Sequence, residues 1–206
     1  MNPQEKEIVA FHEFGHGIVA ESVEHADPVA KISIIPRGIA ALGYTQQQPT
    51  EDRYLLTRSE LLDRLAVLLG GRVAEEQVFG EISTGAQNDL QRATDIARSM
   101  VTEYSMSDSL GLATYECPRQ PMVQPEGFTA SKTYSEKKAA QIDDEVTRVI
   151  GEAHQRVRGI LSSQRKVLDE LANLLSREEV VQGEQLRKML SESKPGLPIK
   201  LPEQPS

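Results

Sequence analysis

The segment His12-Glu13-Phe14-Gly15-His16 constrains this chain of 206 residues more than any other feature. On an α-helix, residues four positions apart lie one above the other on the same face, so both imidazoles can reach one metal ion. Two neutral imidazoles suit Zn²⁺, and Glu13 would project beside them toward a water in the open coordination position. The pattern is typical of zinc-dependent hydrolysis of amide bonds. The alternative is that both histidines are hydrogen-bonded core residues.

The residues around this motif predict that it lies on a helix. Asn2, Pro3 and Glu5 fit the N-cap, the first-turn proline and the N3 carboxylate of a capping box. Small or apolar residues then recur at helical spacing on one side: Ile8, Phe11, Gly15, Ile18 and Val19. We therefore predict a helix over residues 3–24. It ends before Asp27-Pro28 because proline disfavours the helical conformation of the residue that precedes it.

A small β-sheet or hairpin is predicted directly after this helix, close to the motif. Val29–Ile35 is rich in β-branched residues, and Pro36-Arg37-Gly38 would close it as a turn. A second short strand is predicted at about Leu42–Gln46, followed by a polar loop over Gln47–Tyr54. These two segments are the β structure that the sequence predicts.

The remainder of the chain predicts helices, so the expected fold class is mainly α. Capping boxes that begin at Thr57 and Thr84 predict two apolar helices, and Gly70-Gly71 within the first indicates close approach of another backbone. Ser135 is predicted to cap a long helix with a coiled-coil-like seam, and two shorter helices would pack back as a hairpin. The seam is Ala139, Ile142, Val146, Val149, Ala153 and Ile160, and the shorter helices are Val167–Leu175 and Glu184–Leu190.

One domain is expected over residues 1–191. Its parts are a metal-site region over 3–104, a connection over 105–133 and a helical C-terminal region over 134–191. The proline-rich tail 192–206 is predicted to be disordered.

Composition excludes several classes of function. A net charge of −8 disfavours nucleic acid and anionic membrane partners, and only 4% aromatic residues leave few platforms for stacking bases. The single cysteine excludes an internal disulfide and fits a reducing compartment. No apolar run approaches the roughly 20 residues needed to cross a bilayer. We expect the polypeptide by itself to be soluble, and to be a domain cut from a longer protein.

A catalytic zinc ion typically takes three protein ligands, so the two histidines need a third. His25 lies in a polar turn and His154 lies among charged residues, so we expect solvated positions for both. Asp89 lies near the start of a predicted helix and can point toward a neighbouring helix. The alternative for Asp89 is that it complements the helix dipole.

Five blocks of sequence occur in one order along the chain. They are the histidine motif, Asp27-Pro28-Val29 running into Ile34-Ile35-Pro36-Arg37-Gly38, Leu69-Gly70-Gly71-Arg72-Val73-Ala74-Glu75-Glu76, Ser83-Thr84-Gly85-Ala86 with Asn88-Asp89-Leu90, and Tyr134-Ser135-Glu136. In these blocks the chain resembles the membrane-anchored ATP-dependent zinc metalloproteases of the FtsH type, over residues 3–191.

The resemblance implies a helical zinc metallopeptidase domain with one zinc ion per chain, held by His12, His16 and Asp89, and with Glu13 as catalytic base. It implies a membrane-anchored parent protein, in a bacterial inner membrane with the peptidase on the cytoplasmic side, or in the equivalent organelle membrane. That parent would be a homo-hexamer whose AAA ATPase module uses ATP to deliver unfolded polypeptide, including damaged membrane proteins and short-lived regulators. Phe14 and Gly17 depart from the family, where alanine is common at both positions. Phe14 should point away from the metal.

Further roles are expected around the motif. An extended substrate could pair with an edge of either predicted strand, or the edges could pair only within the protein. The candidate substrate-binding residues on these strands are Ile32, Ile34, Gly43 and Tyr44. Glu75 and Glu76 are candidate hydrogen-bond acceptors behind the metal ligands, and the alternative for both is a solvated helix face. Two rival functions are a helical assembly module that uses the seam and a zinc hydrolase that acts on small molecules.

Overall fold

Six α-helices and three short strands make up the part of the chain that the structure describes. The structure is a computed structural model, and it describes residues 2–36, 42–49, 54–115 and 134–193. The mainly α fold class with a small sheet is therefore confirmed. The elements in chain order are α1 (Pro3–Ser22), β1 (Val29–Ser33), β2 (Tyr44–Gln47), α2 (Arg58–Phe79), a 3₁₀ turn (Thr84–Ala86), α3 (Gln87–Thr102), α4 (Glu136–Ser163), α5 (Arg165–Glu178), β3 (Val180–Gln182) and α6 (Gly183–Ser193).

Helix α1, which carries the histidine motif, begins with the predicted capping box. The backbone N–H of Glu5 donates to the Asn2 side chain at 2.8 Å, and the Glu5 carboxylate accepts from the Asn2 N–H at 3.3 Å. The helix ends at Ser22, two residues earlier than predicted. It packs against α2, α5 and the sheet, which places the motif in the middle of the molecule.

The backbones of α1 and α2 touch where they cross. A Cβ atom on Gly15 would lie 2.3 Å from the carbonyl oxygen of Gly70, and one on Gly70 would lie 2.5 Å from the carbonyl oxygen of Gly15. Only hydrogen fits at both positions. The prediction that Gly70 permits close approach of another backbone is confirmed. This crossing brings the motif against α2.

The sheet has the order β2-β1-β3, and both pairs are antiparallel. The pairing of β1 with β2 confirms the predicted pair, although β1 ends at Ser33 and β2 begins at Tyr44. Strand β3 was not predicted. It occupies the second edge of β1, so β1 cannot offer an edge to a substrate, and that alternative was wrong. Strand β2 is an outer strand of the sheet formed by the described residues.

Helix α2 begins with the predicted capping box, in which the Thr57 side chain accepts from the N–H of Glu60 and the Glu60 side chain accepts from the N–H of Thr57. The predicted box at Thr84 was wrong. Ser83 is the residue that caps, because its hydroxyl accepts from the N–H of Gly85 and starts a 3₁₀ turn. Helix α3 then begins at Gln87 without a side-chain cap.

The predicted seam of α4 packs inside the chain, against α2 and α3. Its buried apolar residues are Ile142, Val146, Val149, Ala153, Val157 and Leu161, of which the last two were not predicted. The predicted Ala139 and Ile160 are only half-buried. Because this seam belongs to the core, it is not available for assembly with another chain, and the assembly hypothesis loses its interface. Helices α5 and α6 follow as predicted, each somewhat longer.

Several predictions concern residues outside the described ranges. They are the turn at Arg37-Gly38, the middle of the loop over Gln47–Tyr54, most of the connection over 105–133, and the tail from residue 194 onward. Within the described residues, no helix has the length and apolar character that a membrane crossing needs.

Candidate metal centre

Three side chains from two helices converge at one point beside the α1–α2 crossing. His12 and His16 project from the same face of α1, and their Nε2 atoms lie 3.0 Å apart. Asp89 projects from the first turn of α3, and its Oδ2 lies 3.5 Å from His12 Nε2 and 3.4 Å from His16 Nε2. In the described part of the chain these residues form a group suited to binding a metal ion.

The spacing of these three atoms fits a tetrahedral zinc ion. Zinc binds nitrogen and oxygen ligands at about 2.0–2.2 Å, which places neighbouring ligand atoms of a tetrahedron about 3.3–3.6 Å apart. The distances of 3.0 Å, 3.4 Å and 3.5 Å between the three atoms lie close to this value. Three protein ligands leave a fourth position for water or substrate, as in catalytic zinc sites.

Hydrogen bonds on the far side of each ring fix its orientation. His16 Nδ1 lies 2.7 Å from the carbonyl oxygen of Val67, which can only accept, so Nδ1 carries the hydrogen. His12 Nδ1 donates to Glu75 Oε1 at 2.7 Å. In the neutral rings, both Nε2 lone pairs therefore face the same point as Asp89.

Glu75 lies behind the metal ligands, whereas Glu76 does not. The Glu75 side chain is 2% exposed, and its Oε2 accepts from the N–H of Ser83 at 2.8 Å. Burial raises the pKa of Glu75, but the hydrogen bonds from His12 and Ser83 outweigh it and hold the pKa below its usual value. Glu76 lies 3.1 Å from His154 on another face of α2. The solvated-face alternative was therefore wrong for Glu75.

Carboxylates surround the imidazole of His12 and make this point favourable for a cation. Burial lowers the pKa of His12, but hydrogen bonds with Asp89 and Glu75 and the charge of Glu13 outweigh burial and raise the pKa to about 9. The pKa of Asp89, which burial alone would raise, is held far below its usual value by hydrogen bonds from His12 and His16. A proton and a divalent ion compete for the same Nε2 lone pair. The negative charges that favour a proton on His12 therefore also favour a divalent metal ion at this position.

Glu13 lines the same cavity as the three candidate ligands, and it is 8% exposed. The cavity has a volume of about 830 Å³ and lies between α1, β2, α2 and α3. Gly43 and Tyr44, two of the predicted substrate-binding residues, line its wall. The other two do not: Ile32 is 0% exposed and Ile34 is 3% exposed, both packed in the core beneath the sheet.

Known proteins resemble this chain over nearly its whole length. Residues 1–189 match the family model described as peptidase family M41.

This chain belongs to peptidase family M41.

The resemblance to proteases of the FtsH type, which the motifs predicted, is confirmed. The chain is 58% identical over 195 residues to the ATP-dependent zinc metalloprotease FtsH of Syntrophobacter fumaroxidans, which covers 94% of this chain and 30% of that protein. It is 60% identical over 193 residues to the protein of the same name from Ralstonia pickettii. This match covers 93% of this chain and 27% of that protein. The Thermotoga maritima protein of that name is 45% identical over 192 residues, covering 93% and 32%. The chain thus spans about a third or less of the length of these relatives.

The remaining histidines of this family M41 chain do not join the metal group. His25 Nδ1 lies 2.9 Å from Asp63 Oδ2, and His154 Nε2 lies 3.1 Å from Glu76 Oε2. Their side chains are 33% and 29% exposed. The expectation of solvated positions was therefore wrong, since each is half-buried and bonded to a carboxylate.

Two contacts at the site were not predicted from the sequence. A Cβ atom on Gly71 would lie 2.5 Å from Nε2 of His12, so glycine at this position makes room for the His12 ring. The Thr45 hydroxyl lies 2.8 Å from the Glu13 carboxylate. The Gly70-Gly71 pair was a signal for the first contact, while nothing local in the sequence signals the second. Phe14 is 0% exposed and packs in the core, away from the cavity, as expected.

Proposed function

We propose that this chain is a zinc-dependent endopeptidase domain that hydrolyses unfolded polypeptide. The observation that carries the proposal is the convergence of His12, His16 and Asp89 on one point, in a cavity that also contains Glu13. The names of the relatives, which are zinc metalloproteases, support zinc as the metal. One zinc ion per chain is expected because the described residues contain one such group.

His12, His16 and Asp89 would hold the zinc ion. When bound, zinc supplies a Lewis acid that lowers the pKa of water and polarises the substrate carbonyl. The chain's own contribution is to hold this position rigidly. Glu75 and the Val67 carbonyl orient the two imidazoles from behind, and Asp89 is anchored in the first turn of α3.

Glu13 would transfer a proton from the attacking water to the departing amine. Its Oε2 accepts the hydrogen bond from Thr45, so we assign the proton transfer to Oε1. The carboxylate takes a proton from the attacking water and later gives it to the nitrogen of the departing amine. Both transfers use the same oxygen because attack and departure occur at one carbonyl carbon.

Strand β2 would bind the substrate. It is an outer strand of the sheet, and Gly43 and Tyr44 at its start line the cavity. An extended peptide that adds to this edge would be recognised mainly through its backbone, with little choice of side chain. Such recognition suits unfolded polypeptide, because a folded substrate has its strands already paired.

The relatives are more than three times as long as the matched region, and their names call them ATP-dependent. We propose that this chain is the peptidase domain of such a longer protein. In that protein an AAA ATPase module of the same chain would use ATP to deliver the substrate. The whole would be a membrane-anchored homo-hexamer, in a bacterial inner membrane or an equivalent organelle membrane, and would degrade membrane proteins and short-lived regulators.

The test is zinc content together with cleavage of an unfolded protein such as casein. We expect about one zinc per chain in the wild type and in Glu13→Gln, with cleavage lost in Glu13→Gln because its proton acceptor is gone. Glu76→Gln is the matched control, since it makes the same change on α2 outside the cavity.

Three results would contradict the proposal. A chain without stoichiometric zinc favours a non-catalytic module. Zinc binding with hydrolysis of small amides or esters but not of casein favours a small-molecule hydrolase. Full activity in Glu13→Gln removes the proposed base.

A further inference from the structure

Thr45, the second residue of β2, contacts the carboxylate of Glu13 directly. Its Oγ1 lies 2.8 Å from Glu13 Oε2 and 2.9 Å from the backbone oxygen of Glu13. The two residues are 32 positions apart in sequence, so the histidine motif gives no indication of this contact. Thr45 is half-buried, between the sheet and α1.

The hydroxyl of Thr45 has one hydrogen and can also accept. It cannot donate to both Glu13 oxygens at once. The bond to the carboxylate is charge-assisted and therefore stronger than a bond to a carbonyl, so we assign the hydrogen to Oε2. When Glu13 carries the transferred proton on Oε1, its Oε2 is still a hydrogen-bond acceptor, so the Thr45 hydroxyl can keep donating to Oε2. The contact thus survives both halves of a proton transfer.

Gly43 confines the same carboxylate from a second direction. A Cβ atom on Gly43 would lie 2.9 Å from both Cγ and Oε1 of Glu13. Gly43 and Thr45 are two positions apart, so they face the same side of an extended chain. The Glu13 side chain therefore lies between Thr45 of β2 and Gly43, the residue directly before that strand.

The sheet fixes the position of Thr45. Thr45 pairs with Ile32 of β1, and Ile32 pairs on its other side with Val181 of β3. Ile32 is fully buried, and its side chain fills the space beside Gly17 of α1. The hydroxyl is thus carried by a residue that is paired with the fully buried centre of β1.

We propose that Thr45 is a positioning residue, whose hydroxyl holds the carboxylate of Glu13 in the orientation needed for proton transfer. It also joins that carboxylate to β2, the strand proposed to pair with substrate. This inference rests on the proposed function.

The experiment compares Thr45→Val, which keeps the branched shape but removes the hydroxyl, with Thr45→Ser, which keeps the hydroxyl. Misplacing a catalytic group by about 1 Å costs roughly 100-fold in rate, so we expect kcat for casein or a peptide to fall about 10- to 100-fold in Thr45→Val. KM and zinc content should stay close to wild type. Thr45→Ser should recover most of the rate.

Thr147→Val is the matched control. The Thr147 hydroxyl donates to the carbonyl of Asp143 on the exposed face of α4, far along the chain from the motif. This variant should cleave and bind zinc like the wild type.

A second readout does not depend on activity. In crystals of zinc-loaded Thr45→Val we expect the Glu13 carboxylate to move or to occupy more than one position, while His12, His16 and Asp89 keep theirs. Wild-type kcat in Thr45→Val, a serine variant as impaired as the valine variant, or a changed KM with unchanged kcat would each overturn the proposal. If the wild type binds zinc but cleaves no polypeptide, the proposed function fails, and an unmoved Glu13 in these crystals would overturn the role of Thr45 separately.

Discussion

Glu75 determines which nitrogen of His12 faces the cavity. Its carboxylate accepts the Nδ1 hydrogen at 2.7 Å and is itself held by the N–H of Ser83 at 2.8 Å. A carboxylate behind a ligand histidine fixes the ring and increases the basicity of the other nitrogen. The contribution of Glu75 is therefore electrostatic as well as geometric.

We predict that Glu75→Gln weakens zinc binding by roughly 10- to 100-fold, because the amide is neutral and orients the ring less firmly. Titration with a competing chelator measures the affinity. Glu76→Gln, the neighbouring acid on another face of α2, should bind zinc like the wild type. Equal affinity in the two variants would show that the Glu75 contact has no effect on the metal.

The helix that carries the histidine motif could be predicted from local sequence alone. Its cap, its spacing and its end each depend on neighbouring residues. Strand β3 could not be predicted, because three residues give no periodic pattern and their pairing with β1 depends on α5 and α6. The contact of Thr45 with Glu13 depends on the register of β2 against β1, which local sequence does not fix. The convergence of Asp89 on the histidines likewise depends on how α1, α2 and α3 pack.

Packing between elements depends most strongly on the crossing of α1 and α2. We predict that Gly70→Ala destabilises the protein by about 1–3 kcal/mol, because its Cβ would overlap the carbonyl of Gly15 and force the helices apart. Gly151→Ala is the matched control, since nothing lies within 4 Å of a Cβ there and α4 continues through it. That variant should gain about 0.5–1 kcal/mol from helix propensity.

Urea unfolding measures both free energies. A Gly70→Ala variant as stable as the wild type would mean that the two backbones are not in contact at this point.

Buried carboxylates away from the metal site connect elements that are distant in sequence. Glu145 of α4 is 6% exposed, and it accepts from Arg148 at 2.7 Å and from the Ser107 hydroxyl at 2.7 Å. The hydrogen bonds from Arg148 lower the pKa of Glu145. Burial raises this pKa and the Ser107 hydrogen bond lowers it, and the net result is a pKa of about 2. Asp63 of α2 also has a lowered pKa. Burial raises the pKa of Asp63, but hydrogen bonds from His25 and Arg156 outweigh this effect.

These shifts predict how stability depends on pH. A carboxylate with a lowered pKa in the folded state contributes stability above its unfolded pKa, and that contribution is lost as the pH falls toward the folded value. For Glu145 the loss should occur between pH 4.5 and about 2.

We therefore expect Glu145→Gln to reduce the free energy of unfolding at neutral pH and to flatten its dependence on pH below 4.5. Glu170→Gln, an exposed carboxylate 3.9 Å from Lys166, should leave the profile unchanged. Measurements on metal-free protein keep zinc release out of the comparison. Parallel profiles for wild type and Glu145→Gln would contradict the prediction.

The most direct measurement is a crystal structure of the zinc-loaded chain with anomalous scattering recorded at the zinc edge. We predict one peak within about 2.0–2.2 Å of His12 Nε2, His16 Nε2 and an Asp89 carboxylate oxygen. A peak that lies elsewhere, or one bound by the two histidines with Asp89 turned away, would contradict the three-ligand centre on which the proposed peptidase depends.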